Sequence, residues 1–338
     1  MCISITSSRY RPTRLPGYCV GLSLLISLVQ LVALSDFAGA EDGDELFVAV
    51  LGVAQDAGYP QIGCEKTCCR LAWGDPSERK FVSCVAVVDK ISGQRFIFDC
   101  TPDFKQQLQL LNQLTEEKPK NLIDGIFLTH GHIGHYTGLV HLGKEAFGAN
   151  GVPVYGTPRM NQFLTTNGPW SQLVKLNNIE LKSLETDKAV KLNERLTVTA
   201  FQVPHRDEFT DTVGFKIASK TKSVVYLPDI DKWSKWSRSV EDVIRDTDVA
   251  LLDGSFFADG ELPNRDMASI PHPFIEESIG RFASLEPELR KRIRFIHLNH
   301  TNPAIQNNGD PKVNAAARQI EQAGMGLAKQ GSTISLNR

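Results

Sequence analysis

The chain has 338 residues, 41% hydrophobic and 22% charged, with a formal net charge of -2. That is enough apolar material for one large domain or two modest ones. A near-neutral balance without blocks of like charge gives no nucleic-acid footprint and no basic membrane-binding surface, which leaves a small or medium-sized substrate.

The N-terminal segment differs from the rest. Arg9, Arg11 and Arg14 precede an apolar run over 20–34, and Ala38-Gly39-Ala40 stands before acidic Glu41-Asp42. This three-part pattern predicts a signal peptide over 1–40, cleaved after Ala40, and an exported protein, periplasmic or secreted. The rival reading, an uncleaved anchor, fits less well: the run is about fifteen residues and a spanning helix needs roughly twenty. No stable membrane span is expected after cleavage. Cys2 and Cys19 leave with the leader, and Cys64, Cys68, Cys69, Cys84 and Cys100 remain, an odd number that excludes a complete disulfide framework within one chain. In an oxidising compartment the clustered thiols are expected to be paired or shielded by a metal. Cys84 and Cys100 sit in apolar runs and read as buried small hydrophobes.

Short β-branched and aromatic runs then predict strands over 46–53, 84–88, 95–98 and 125–129, interleaved with a helix over 104–114. The second half repeats the style, with strands over 196–203, 213–217, 223–227, 249–252 and 293–298 and helices over 240–245, 274–283 and 314–323. The chain is α/β, with no repeat and no internal linker, and 41–338 reads as a single domain.

The densest chemistry is Thr129-His130-Gly131-His132-Ile133-Gly134-His135, with three histidines inside six residues at the end of an apolar strand. His130 and His132, two apart, can point both imidazoles at one ion from a short extended segment, and His135 follows where the pattern turns helical. Imidazole is a standard zinc ligand, whereas three solvated loop histidines are the bland alternative. Two histidines cannot hold a catalytic ion alone, so further ligands should lie at other strand ends. His205, Asp229 and His297 each close an apolar run. His297 and His300 should face opposite sides if both lie in extended backbone, and so serve different ions.

The order His-x-His-x-x-His, a lone His, an Asp after a strand and a late His resembles the metallo-β-lactamase superfamily. Leu51-Gly52 leading to Gly58-Tyr59-Pro60-Gln61 and a Cys cluster, Thr101 to Leu108, and His297-Leu298-Asn299-His300-Thr301-Asn302-Pro303 resemble the coenzyme PQQ synthesis protein B branch. Cyclic phosphodiesterases and tRNA 3′-processing enzymes share parts of the layout. The resemblance implies an αββα sandwich with metal ions at one edge of the sheets. It puts His130, His132 and His205 on a first ion, His135 and His297 on a second, and Asp229 between them. Iron or manganese suits such ligands as well as zinc. Gly134 departs from the family pattern, whose Asp there ligates the second ion and steadies the attacking water. The expectation is therefore an intact first site and a weakened second one, with Gly134→Asp raising its occupancy. PQQ synthesis protein B itself characteristically lacks the two leading histidines kept here, which implies a relative with its own activity.

By the same resemblance, Cys64, Cys68, Cys69 and His300 would form a structural zinc site, although the middle Cys falls beside the last one; a disulfide or free thiols are the alternatives. His272, just before a helical pattern, and Asp253, in Asp-Gly after a strand, match a general-acid pair of the tRNA-processing branch; a solvated His and a turn-forming Asp are the bland alternative. Arg206, Asp207 and Glu208 follow His205 directly and face substrate or solvent. The leading expectation is an exported metal-dependent hydrolase, with hydroxide generated on the metal attacking an ester or phosphodiester. The alternatives are cofactor maturation or iron-dependent redox chemistry, and a degenerate metal-binding module. N-terminal sequencing of the exported protein checks the leader: a start at or next to Glu41 is expected, and a start at Met1 contradicts it.

Overall fold

The computed structural model describes residues 45–115, 120–263 and 265–337, so the expected leader lies outside the described residues. All of these belong to one compact unit, Asp36–Arg338. Chain order and layer order coincide closely. The first sheet is laid down by β1 (Leu46–Gly52), β2 (Cys84–Asp89), β3 (Gln94–Phe98), β4 (Gly125–Phe127), β5 (Val152–Gly156) and β6 (Ile179–Ser183). The second follows, with β7 (Ala189–Lys191), β8 (Thr197–Gln202), β9 (Val213–Ala218), β10 (Ser223–Leu227), β11 (Val249–Asp253), β12 (Ile293–Ile296) and β13 (Gly326–Leu327). Finally β14 (Thr333–Ser335) returns to pair with β1. Each sheet has seven strands, in the orders β14-β1-β2-β3-β4-β5-β6 and β13-β12-β11-β10-β9-β8-β7.

Alternation along the strands builds the layers, because successive side chains point to opposite faces. Val48, Val50, Val85, Val87, Phe98 and Phe127 of the first sheet meet Val198, Val213, Phe215, Ile217, Tyr226 and Leu251 of the second in one buried core between the sheets. The intervening residues, among them Phe47, Ala49, Leu51, Ala86 and Ile97, pack outward against the helix Phe104–Thr115 through Leu108 and Leu111. The second sheet does the same: Val225, Leu227, Ala250, Leu252 and Phe295 pack against the helices Val240–Arg245, Ile275–Phe282 and Ala315–Gln322. The result is the expected αββα sandwich. Central strands such as β1 and β2 are buried at every residue, which is why they read as continuous apolar runs.

Direction positions the site. β1 and β3 are both antiparallel to β2, and β3 and β4 are parallel, so all three end at the same edge. In the second sheet β8, β10, β11 and β12 likewise run together, since β8 and β10 are antiparallel to β9 while β10, β11 and β12 are parallel. The two carboxyl edges are stitched to each other where Val213 N donates to Thr129 O (3.1 Å) and Leu298 N to Val53 O (2.8 Å). Residues just beyond these strand ends therefore converge. Among the described residues no helix is long and apolar enough to cross a membrane.

Candidate metal centre

Asp229, the second residue after β10, is the hub. It is 3% exposed, and five imidazoles approach it: His135 Nε2 at 2.9 Å, His297 Nε2 at 3.2 Å, His272 Nδ1 at 3.5 Å, His130 Nε2 at 3.6 Å and His205 Nε2 at 3.8 Å. Burial alone would raise its carboxyl, but His297 and the other imidazoles overcome that and hold it well below the usual range.

Around this hub the side chains form two facing sets. His130, His132 and His205 bring one ring nitrogen each within 4.8 Å of one another, with His130 Nε2 and His132 Nδ1 2.8 Å apart. Asp56, His135, Asp229 and His297 form the other set. Asp56 lies in the turn after β1 and was not singled out by sequence reasoning. Its Oδ1 is 3.2 Å from His135 Nε2 and 3.7 Å from His297 Nε2.

Every imidazole of the centre but His205 is turned by a partner on its far side. His135 Nδ1 meets Asp99 Oδ2 at 2.8 Å, and this fully buried carboxylate also accepts from Thr129 N (2.8 Å), Thr129 Oγ1 (2.9 Å) and Tyr226 Oη (3.1 Å). Burial lowers the His135 pKa, but Asp99, together with Asp229 and Asp56, more than offsets this and the net shift is well upward. His132 Nε2 faces Glu208 Oε2 at 2.9 Å, and His297 Nδ1 faces Ser255 Oγ at 2.9 Å. His130 has Thr129 Oγ1 3.0 Å from Nδ1, and burial, with His135 adding to it, pushes its pKa well down. Burial pushes His205 down to about 4. Of the tract after His205, Glu208 thus orients a ring, Asp207 accepts from Thr212 Oγ1 (2.9 Å) and Arg206 lies on the surface beside Glu208.

His135 Nε2, His205 Nδ1 and Nε2, His297 Nε2 and Asp56 Oδ1 are buried atoms that make no hydrogen bond. Unpartnered buried polar atoms are rare in native proteins. Here they belong to metal-ligating residue types and most surround one carboxylate, so the set fits divalent cations.

The structure corrects three expectations. Position 134 is not a gap: a Cβ built on Gly134 would lie 2.2 Å from Asp56 Oδ1 and 2.6 Å from Asp56 Cα, so the space is already filled by another carboxylate. A weakened second set and a gain from Gly134→Asp are therefore not what the geometry supports. Second, the strand expected over 293–298 stops at Ile296, and His297 takes φ 66°, so His297 and His300 diverge through a left-handed bend rather than by strand alternation. Third, the middle Cys falling beside the last one is no obstacle to a shared site, because Cys68 and Cys69 both lie in the first turn of the helix Thr67–Gly74. There Cys69 Sγ and Cys68 Sγ come 3.3 and 3.8 Å from His300 Nδ1, and Cys64 Sγ comes 3.7 Å from Cys68 Sγ. These separations match the edges of a tetrahedron with metal–sulfur bonds of about 2.3 Å. All five described cysteines are free.

His272 and Asp253 meet as the pair foreseen. His272 Nδ1 is 2.8 Å from Asp253 Oδ2, which also accepts from Ile230 N (3.1 Å). Burial depresses the His272 pKa, but Asp253 reverses this and raises it. The ring lies beside both His205 and Asp229.

A family model described as Beta-lactamase superfamily domain matches residues 94–298. Coenzyme PQQ synthesis protein B of Methylorubrum extorquens (strain PA1) is 27% identical over 322 residues, covering 86% of this chain and 100% of that protein. The protein of the same name from Rhizobium meliloti (strain 1021) is 26% identical, covering 82% and 95%. Among solved structures, Zn(2+)-bound PqqB from Methylobacterium extorquens aligns with a TM-score of 0.70 at 23% identity over 85% of this chain and 99% of that one. A diphosphatase from the PhnP family aligns with a TM-score of 0.58 at 22% identity over 86% and 96%. At these identities the structural likeness shows a shared fold.

The Asp99 network predicts a stability effect independent of any ion. Asp99→Ala strips three polar groups and the His135 ring of one buried partner, and denaturant unfolding of metal-free protein should show a loss of about 3–5 kcal/mol. A loss below about 1 kcal/mol would mean that the network does not hold the centre together.

Proposed function

The chain belongs to the family of the beta-lactamase superfamily domain, matched over residues 94–298, and from that membership and the two facing ligand sets we propose a metal-dependent hydrolase acting on an ester or phosphodiester of a small substrate. The observation that carries this reading is Asp229, whose Oδ2 faces His130, His135 and His297 and whose Oδ1 faces His205 and His272, with His135 Nε2, His205 Nε2 and His297 Nε2 making no hydrogen bond. His130, His132 and His205 would hold one cation, and His135 and His297 a second, with Asp229 shared. Divalent cations held there supply a Lewis acid and bring a coordinated water to near-neutral pKa.

The chain's own residues do the rest. Glu208, Asp99 and Ser255 fix the rings of His132, His135 and His297, so the site needs little reorganisation when a substrate arrives. Asp253 holds His272 by Nδ1 and favours its charged form, so Nε2 carries a proton that it can deliver to a departing alkoxide. Cys64, Cys68, Cys69 and His300 would hold a structural zinc; burial pushes the Cys69 thiol up to about 12, and a bound cation is what would keep it as thiolate. The leader pattern supports an exported location.

A second reading, cofactor maturation or iron-dependent redox chemistry, is favoured by the match to PQQ synthesis protein B over that protein's whole length. One experiment separates the two: metal analysis of purified protein beside turnover of chromogenic esters and phosphodiesters. The proposal expects a divalent cation beyond the thiolate set and chelator-sensitive hydrolysis. His132→Ala should remove it, and His272→Gln should lower kcat roughly 100-fold or more, most for substrates with poor leaving groups. Unchanged hydrolysis by His132→Ala sinks the reading. Iron with oxygen uptake on a peptide or quinone precursor favours the second reading, and full occupancy without any turnover favours a non-catalytic module.

A further inference from the structure

The segment between β1 and the cysteine cluster carries Asp56 onto the face of the short helix Ile133–Tyr136. It is held there firmly. Gln55 N donates to Leu298 O (2.9 Å), Gly58 N closes the turn onto Gln55 O (2.8 Å), and the Gln55 and Asn299 side chains are hydrogen-bonded to each other. The same clamp fixes the residues that follow His297. Asp56 and His297 are thus delivered together, from opposite sheets, and both reach His135 and Asp229.

Asp56 Oδ1 is buried and makes no hydrogen bond, although it points into the imidazoles of His135 and His297. It sits where any side chain on residue 134 would have to begin: a Cβ there would lie 2.2 Å from Oδ1, 2.6 Å from Cα and 2.8 Å from Cγ of Asp56. Real Cβ atoms do not tolerate such separations, and one of the three crowded atoms is backbone, so a rotamer change cannot relieve the clash.

We propose that Asp56 is the fourth protein ligand of the second cation, and that residue 134 is glycine because only a position without a side chain admits it. The carboxylate expected on the helical turn has moved to a different loop, and the ligand set of the second cation is complete. This rests on the dinuclear hydrolase reading and adds the identity of one ligand to it. Two consequences distinguish relocation from simple loss. Removing the Asp56 carboxylate must weaken the second cation, and adding even a methyl at position 134 must do the same by pushing the Asp56 loop away.

Equilibrium dialysis of the full chain against Zn(II), followed by metal analysis, tests this on the wild type, Asp56→Asn, Gly134→Ala and Gly134→Asp. The expected result is that Asp56→Asn binds one zinc fewer, or binds it with a loss at least as large as the roughly 10–100-fold loss seen for outer partners of a ligand. Gly134→Ala and Gly134→Asp should lose the same equivalent and keep the other. Asp56→Asn is isosteric and is the deciding variant should the glycine substitutions fail to fold, with circular dichroism as the control. If Asp56→Asn holds as much zinc as the wild type, or Gly134→Asp holds more, the relocation is wrong while the hydrolase reading stands. If the wild type itself binds no zinc beyond the thiolate set, the hydrolase reading falls first.

Discussion

A single buried carboxylate organises this molecule. Asp229 lies at the junction of two sheets, almost without water, and five imidazoles come within 3.8 Å of it. One buried negative charge can be balanced by one or two protonated rings, but the remaining nitrogens then face each other unpaired, at a cost of several kcal/mol each if left so. The chemistry of such a centre is resolved by positive charge supplied from outside the chain.

The fold meets the constraint by orientation rather than by any local motif. Seven strands, β1, β3, β4, β8, β10, β11 and β12, bring their carboxyl ends to one edge, and the ligands follow those ends closely, with His135 on the short helix Ile133–Tyr136 that comes after β4. Two of those bends, at Asp99 and His297, use left-handed backbone at φ 66°, which non-glycine residues adopt only where surrounding contacts enforce it. The contacts are visible: Asp99 is gripped by Thr129 and Tyr226, and His297 by Ser255 and the backbone pairing of Leu298 with Val53. Strain at these two points aims one carboxylate and one imidazole that regular strand geometry would have pointed elsewhere. The cysteine cluster lies along the same segment, since His300 follows His297 closely and the loop bearing Asp56 runs directly into Cys64.

Much of this was legible in the sequence, for identifiable reasons. Strands buried on both faces, such as 223–227, showed themselves as unbroken apolar runs, and the helices Val240–Arg245 and Ile275–Phe282 as 3.6-residue periodicity. Histidines at the ends of those runs stood out because His is scarce and strand ends face a cleft. The Asp253–His272 pair came from the resemblance to the tRNA-processing branch, since the residues alone read equally well as a turn-forming Asp and a solvated His. Half-buried strands such as β5, β6 and β7 were missed, because mixed polar and apolar residues blur the alternation. Asp99 and Asp56 were missed for a different reason. An Asp at a strand end or before Ala-Gly looks like an ordinary turn former, and only three-dimensional pairing separates it from a ligand. Gly134 was misread for the same cause: the sequence shows a missing carboxylate, whereas its replacement comes from a distant segment of the first sheet. Absence of a side chain at one position says nothing about what fills the space above it.

The most direct measurement is anomalous diffraction at the zinc edge from crystals of the zinc-loaded protein. At the histidine centre, apart from any peak at the thiolate set, the account predicts two peaks about 3.5–4 Å apart, both bonded to Asp229, one completed by His130, His132 and His205 and the other by His135 and His297. A single peak, or a pair of which neither touches Asp229, would contradict it.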